Sequence, residues 1–541
     1  MKKFLSLVLA LVMTMSLVTI SAGAKDFTDG DKIKYTEAID VVSAIAVVDG
    51  YSDGSFNPQK SLQRDQAAKI ICNLILGPTT AASLSADVAP FKDVPANDKF
   101  AGYIAYCANA GIINGYADGT FRPRNTLTGY AFMKMLLGAL GYDADIEGYV
   151  GNNWSIQVAK TALGIGLDKG LGEDTPFNGM KEVTREEACL YAFNTLKATL
   201  VDYDAKTTVS VGGAEVTIGS SKAKPVSFAN QNLQTGAKYD GNIEYDDFVQ
   251  FAEQYFTKLV KNGERDAFMR PSHVWTLKGD KIGSYVDTPD ATYVGKVKFA
   301  DIYDDVKLTA TTDDFQVYID GVYANLYDTD LTADEGYRPV TVGDYTYPCT
   351  LTIEKGNTDD KVGTGKGCVV EVFKSEKKDV PGTIAVLNTY VGKVIGVEKA
   401  SGKTKASTDV APVGPSTYDA YKNDTAVDVL ANDAFESEAF SVDDIINFNY
   451  SLKTGKGEIK NAAKAEAVKG VVNSIGTNTK FTLEGKTYEY GEKAAAKLAP
   501  SDVSTSANIY LDANGYALYF DEGEDNLKNY ALVLNAGAEV S

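Results

Sequence analysis

Counted from Arg64, Gly129 and Arg185, the residues at offsets 3, 4, 7, 8 and 11 are apolar in all three stretches. They are Ala67, Ala68, Ile71, Cys72 and Ile75, then Phe132, Met133, Leu136, Leu137 and Leu140, then Ala188, Cys189, Ala192, Phe193 and Leu196. This spacing falls on one side of a 3.6-residue helix, so the pattern predicts three helices, each with one buried face. Thr184-Arg-Glu-Glu187 reads as a capping box, with Thr184 as N-cap and Glu187 reaching back. Upstream of each helix lies a second apolar stretch that opens on an aromatic residue: Tyr35, Phe100 and Trp154.

Between the two helices of each pair the polar pattern also repeats. Asp49-Gly-Tyr-Ser-Asp-Gly-Ser-Phe-Asn-Pro58 returns 65 residues later as Asn114-Gly-Tyr-Ala-Asp-Gly-Thr-Phe-Arg-Pro123, with six of ten positions identical. A diverged third copy reads Gly170-Leu-Gly-Glu-Asp-Thr-Pro-Phe-Asn-Gly179. Asp-Gly pairs make tight turns because glycine accepts positive φ, and proline stops re-entry into helix. Phe56, Phe121 and Phe177 are expected to pin each loop to a core. Each unit is thus helix, turn-rich loop, helix. One unit cannot bury its own stripes, so the three are expected to pack together.

After Leu200 the period changes from helical to alternating. Residues 208–218 alternate about Gly212-Gly213, 315–323 about Asp320-Gly321, 481–490 about Glu484-Gly485, and 509–520 about a glycine turn, which predicts four hairpins. One long helix is expected over 245–260. Residues 377–381 mark a soft boundary, 406–415 read as a loop or linker, and 531–534 as a last strand. Short strands at such spacing suggest sandwich- or barrel-like modules. The fold class expected is multidomain α+β, an all-α N-terminal part followed by β-rich modules. The spans are 1–24, 25–86, 87–148, 149–200, 201–380 and 381–541.

Composition narrows the function. Lys2 and Lys3 precede an uncharged apolar run over 4–20, and Ala22-Gly-Ala24 supplies a cleavage site, so residues 1–24 are expected to be a secretory signal peptide. No other stretch is long and apolar enough to predict a transmembrane segment. The net charge of −20 argues against nucleic acid or an anionic membrane as partner. Five cysteines exclude a disulfide scaffold. Cys72, Cys107 and Cys189 read as small core residues, while Cys349 and Cys368 lie in strand-like sequence and could pair. The single histidine, His273, beside Trp275, reads as structural rather than catalytic. No nucleophile–base set or zinc cluster can be assembled. Calcium is not expected in the glycine loops: Asp49-x-x-x-Asp53-Gly54 hints at a calcium loop, but position twelve would be Lys60 or Asn125 rather than a bidentate Glu. Acids at 304–305 and 313–314 could hold calcium in the β-rich region.

The helical third resembles the S-layer homology domain. The resemblance rests on Phe91-Lys-Asp-Val94, the aromatic helix starts, residues 111–123 (Gly-Ile-Ile-Asn-Gly-Tyr-Ala-Asp-Gly-Thr-Phe-Arg-Pro) and Thr184-Arg-Glu-Glu187, and it spans 26–200. It implies a pseudo-threefold bundle of three repeats that binds secondary cell-wall polysaccharide non-covalently, often through an acidic, pyruvate-bearing sugar. It carries the ligand role to Arg64 and Arg185, to Asp29 and Asp93, to Tyr35, Phe100 and Trp154, and to Gly50 and Gly115. Arginine at a helix start opposes the helix dipole, and a bound carboxylate would reverse that cost through free backbone N–H groups. The competing reading pairs the arginines with neighbouring acids, Arg185 with Glu186 or Glu187. The second unit departs from the family, with Gly129 where arginine is expected, so the groove built on that helix start is expected to be silent. The function expected is a secreted, non-enzymatic cell-wall anchor displaying β-rich modules, with self-assembly into a surface array. The alternatives are an anchored enzyme acting on polysaccharide and an anchored adhesin.

Overall fold

A computed structural model describes residues 27–522 except 173–174, 204–206, 212–213, 219–221, 228–241, 245, 310–314, 325–339, 343–344, 348–358, 376–379, 402–404, 414–418, 423–424, 429–432, 455–456 and 477–478. The described chain divides into two compact units. One is helical and takes in residues up to Gly263 together with His273–Tyr285; the other holds Glu264–Ser272 and the chain from Val286 onward. Among the described residues no helix is long and apolar enough to cross a membrane.

The helical unit contains three pairs of helices: α1 (Thr36–Ala44) and α2 (Arg64–Leu76), α3 (Ala101–Asn109) and α4 (Gly129–Ala139), α5 (Trp154–Gly164) and α6 (Arg185–Lys197). The second helix of each pair starts where the apolar count begins. At α6 the capping box forms: Thr184 Oγ1 accepts from Glu187 N at 3.3 Å, and Glu187 Oε2 accepts from Thr184 N at 2.9 Å. Tyr35 and Phe100 are the N-cap residues of α1 and α3, and Trp154 is the first residue of α5.

The three pairs are tied by backbone hydrogen bonds that run in a ring. Leu62 N donates to Val183 O (2.9 Å), Val183 N to Leu127 O (3.1 Å), and Leu127 N to Leu62 O (3.2 Å). All three side chains are buried, so these amides have no water to turn to, and pairing with one another removes a desolvation cost. Phe56 and Phe121 are fully buried beside Phe27 and Phe91, with ring centroids 5.1 and 5.3 Å apart.

The hairpin His273–Tyr285 packs on this helical core. Glu37 Oε1, on α1, accepts from Trp275 Nε1 at 2.7 Å and lies 2.6 Å from His273 Nε2. Trp275 is fully buried against Phe193 of α6, ring centroids 5.5 Å apart. His273 is therefore a packing and hydrogen-bonding residue, in keeping with the structural reading of its setting in the sequence.

The strand-rich unit forms open sheets, not barrels. One has the order Val322–Tyr323, Phe315–Ile319, Gly382–Leu387, Val369–Phe373, Ala291–Val294; a second Asp433–Phe435, Ser407–Pro412, Tyr390–Glu398, Ile445–Ser451, Glu458–Lys464; a third Lys486–Glu489, Lys480–Leu483, Glu466–Ile475, Ser506–Leu511, Ala517–Glu522. Among the described residues no ladder closes any of these strand orders into a ring, although the third sheet's ends meet at one bridge, Tyr490 to Ala517. This corrects the barrel-like expectation, since a barrel must join its first strand to its last along a full ladder. Phe315–Ile319 and Gly382–Leu387 run parallel; the other neighbours are antiparallel.

The four expected hairpins form. Asp320-Gly321 and Glu484-Gly485 both carry positive φ at the two central positions, the turn whose twist matches antiparallel strands. Two buried charged groups in this unit are paired. Arg270 bridges Asp266 Oδ2 (2.7 Å) and Glu371 Oε2 (3.0 Å), and Asp320 accepts from Asn388 and Tyr390.

Two elements differ from expectation. The long helix over 245–260 is only Phe251–Tyr255, followed by strand Leu259–Arg265. Val249 spends its N–H on Val226 O and its carbonyl on Leu200 N, so the backbone before the helix is already paired in extended form. The supposed linker over 406–415 holds strand Ser407–Pro412, whose Thr408 and Val410 point into the core. The strand at 531–534, most of the boundary at 377–381 and Cys349 lie outside the described residues. Cys368 is a buried free thiol.

Candidate binding site

The repeated loops are built by their aspartates. Asp29 Oδ1 and Oδ2 accept from Phe56 N (2.7 Å) and Asn57 N (2.8 Å); Asp93 does the same for Phe121 N and Arg122 N, both at 2.7 Å. The Phe56 amide, chief among these bonds, holds the Asp29 carboxyl below its ordinary range. Within the loops, Asp53 and Asp118 cap Ser55 and Thr120. The Thr120 hydroxyl and amide draw Asp118 down to about 2.

Gly50 and Gly115 sit where the loops cross Phe27 and Phe91. A Cβ would come within 2.6 Å of the Phe27 ring at Gly50 and within 2.4 Å of the Phe91 ring at Gly115. These four residues shape the loops.

The helix tips correct one part of the sequence argument, because their amides are not free. Arg64 N and Asp65 N donate to Asn125 O and Pro123 O; Gly129 N and Tyr130 N to Lys181 O and Gly179 O; Arg185 N and Glu186 N to Lys60 O and Pro58 O. Each tip is thus spent on the loop of another repeat. The arginines follow the same route. Arg185 is buried at 8% exposure, donating from Nε to Phe56 O (3.0 Å) and from Nη2 to Asp49 O (2.9 Å). Arg64 makes the matching bonds to Phe121 O (2.9 Å) and Asn114 O (3.2 Å), but stays half-buried.

Around Arg64 the fold leaves a cavity of about 490 Å³. Three of the expected residues line it: Arg64 from the first repeat, Gly115 from the second and Trp154 from the third. Lys134, Tyr116 and Tyr149 also line it, and no carboxylate residue does. Lys134 Nζ donates to Tyr149 O at 2.7 Å and lies 5.7 Å from the centre of the Trp154 ring. Burial lowers the proton affinity of both Arg64 and Lys134. Two partly desolvated cations beside an indole face can hold an anionic, ring-shaped ligand. Lys134 was missed from sequence. Its signal was a lone cation inside Phe132-Met-Lys-Met-Leu136, the most apolar of the three stripes.

A second cavity, also about 490 Å³, lies at the start of α4. Here Gly129 offers no side chain, and the lining cation, Lys181, is paired with Glu187 at 3.0 Å. Tyr35 is half-buried at the head of α1; burial first, then Glu186 and Glu187, raise its hydroxyl pKa. Phe100 faces cations of its own, Lys99 Nζ at 4.8 Å and Arg124 Cζ at 5.3 Å from the ring centre. The structure therefore gathers Arg64, Gly115 and Trp154 into one cavity and leaves Arg185, Asp29, Asp93, Tyr35, Phe100 and Gly50 outside its lining.

Among the described residues no three His, Cys, Asp or Glu side chains converge as a metal site. Asp305 accepts from Tyr293, and Asp313 and Asp314 lie outside the described residues.

Comparison with known proteins agrees with this anatomy. The S-layer homology domain family matches residues 26–68 and 90–129. A surface layer protein of Brevibacillus choshinensis is 28% identical over 173 residues, covering 32% of this chain and 15% of that protein. An S-layer protein of Bacillus licheniformis is 23% identical over 529 residues, covering 94% of this chain and 52% of that one. An uncharacterised cell wall amidase of Bacillus anthracis is 28% identical over 155 residues, covering 27% and 28%. The chain spans about half or less of the length of these relatives.

Proposed function

This chain is a cell-surface protein that carries an S-layer homology domain, and from that premise we propose that it anchors non-covalently to an acidic cell-wall polysaccharide through the Arg64–Lys134–Trp154 cavity. The observation that carries the reading is two partly buried cations beside an indole in a cavity lined by no carboxylate. A carboxylate-bearing sugar, such as a pyruvylated residue, supplies the charge for the cations and the ring for Trp154. The three repeats act as one pseudo-threefold bundle, a reading supported by the ring of hydrogen bonds through Leu62, Val183 and Leu127. The strand-rich unit serves as the displayed, structural portion, by analogy with the two relatives named for the surface layer. It is read as non-enzymatic, and assembly into an array belongs to the same reading.

The test is co-sedimentation of purified protein with cell-wall sacculi. The Lys134→Ala and Arg64→Lys variants, each shown to melt like the parent, are expected to leave the protein in the supernatant. Binding equal to the parent in both would overturn the assignment.

A further inference from the structure

Cys72 on α2 and Cys107 on α3 are each fully buried, and their Sγ atoms lie 3.5 Å apart. Apart from this contact, the polar neighbours of the two sulfurs are single backbone carbonyls, Tyr103 O at 3.5 Å and Ala68 O at 3.6 Å. The two helices belong to different repeats, and the two cysteines are 35 positions apart in sequence. A disulfide needs a sulfur separation of about 2.05 Å, so the pair must close by roughly 1.5 Å. Side-chain rotation supplies much of that between two sulfurs already in van der Waals contact. A cell-surface protein also folds where thiols are oxidised rather than kept reduced.

We propose that Cys72 and Cys107 form a disulfide that staples the first repeat to the second. The thiolate of one cysteine attacks an external disulfide, of a small molecule or an exchange protein, and releases one thiol from it. The second cysteine then displaces the other half. Two protons and two electrons leave the pair, and the external disulfide becomes two thiols. The step belongs to folding, before the helices close, because in the folded core the neighbouring thiol and burial both disfavour the Cys107 thiolate. The same burial shields the finished bond. The staple would fix the helix that begins at Arg64, and so one wall of the proposed cavity; yet it can be present or absent whatever the cavity binds.

Purified protein is unfolded, then refolded in parallel with a glutathione redox pair and with dithiothreitol. Each sample is alkylated in denaturant without reductant and mapped by mass spectrometry. The oxidised sample is expected to yield one linked Cys72–Cys107 peptide, to protect two of the five thiols from alkylation, and to melt about 5–10 °C above the reduced sample. Cys72→Ala is expected to abolish both the link and the difference in melting. Full alkylation of Cys72 and Cys107 in the oxidised sample, links spread to Cys189, or equal melting of the two samples would each overturn the proposal.

Discussion

Two cavities of the same volume, one at the start of α2 and one at the start of α4, are built from equivalent parts and differ in charge. The first holds Arg64 and Lys134 with no carboxylate in its wall; the second holds Gly129 and a lysine already neutralised by Glu187. A repeat unit therefore fixes the shape of a groove, while one or two substitutions decide whether it offers net charge to a ligand. Because each helix tip sits on another repeat's loop, every groove is assembled from more than one repeat, and a change in one is read in its neighbour.

That contrast can be broken most strongly by emptying one side of charge. Arg64→Ala with Lys134→Ala is expected to weaken binding to sacculi roughly 100-fold, the loss of two charge-assisted contacts, while Lys181→Ala shifts it less than about 2-fold. Equal losses would make the cavities equivalent.

The loop clamps give the next largest separation. Asp93→Ala and Asp29→Ala each strip a carboxylate from two backbone amides and should cost about 1–3 kcal/mol in chemical denaturation. Asp93 clamps the loop that lines the Arg64 cavity, so only Asp93→Ala is expected also to weaken sacculus binding. Gly115→Ala drives a methyl into the Phe91 ring and should cost about 1–3 kcal/mol, measured the same way.

The smallest effect is one of pH. Burial depresses the proton affinity of Lys134, and the protonated form is the one an anion attracts. Binding is therefore full on the acid side and declines as pH rises through the lowered lysine range. Lys134→Arg should flatten that decline in sedimentation assays between neutral and alkaline pH; an unchanged profile would remove Lys134 from the site.

The sequence resolved whatever local spacing determines. The helices beginning at Arg64, Gly129 and Arg185 were legible to the residue because a stripe must start where the cap ends. The hairpins were legible because Asp320-Gly321 and Glu484-Gly485 admit only a tight turn. It misread the helix tips, since the carbonyls that occupy them come from other repeats; Arg185 reaches Asp49, 136 positions away. The same cause cut the helix expected over 245–260 to Phe251–Tyr255, where distant backbone partners claim Val249, and the segment read as a loop or linker over 406–415 pairs as the strand Ser407–Pro412 with partners distant in sequence. Lys134 escaped because periodicity marks buried apolar positions and is silent about a cation bent into a cavity.

The most direct test is calorimetric titration of the protein with acidic wall polymer and with the same polymer stripped of its acidic substituent. The account expects saturable binding of the first alone, abolished in the Arg64→Ala, Lys134→Ala double variant that still folds. Equal affinity for both polymers, or undiminished binding by that variant, would contradict it.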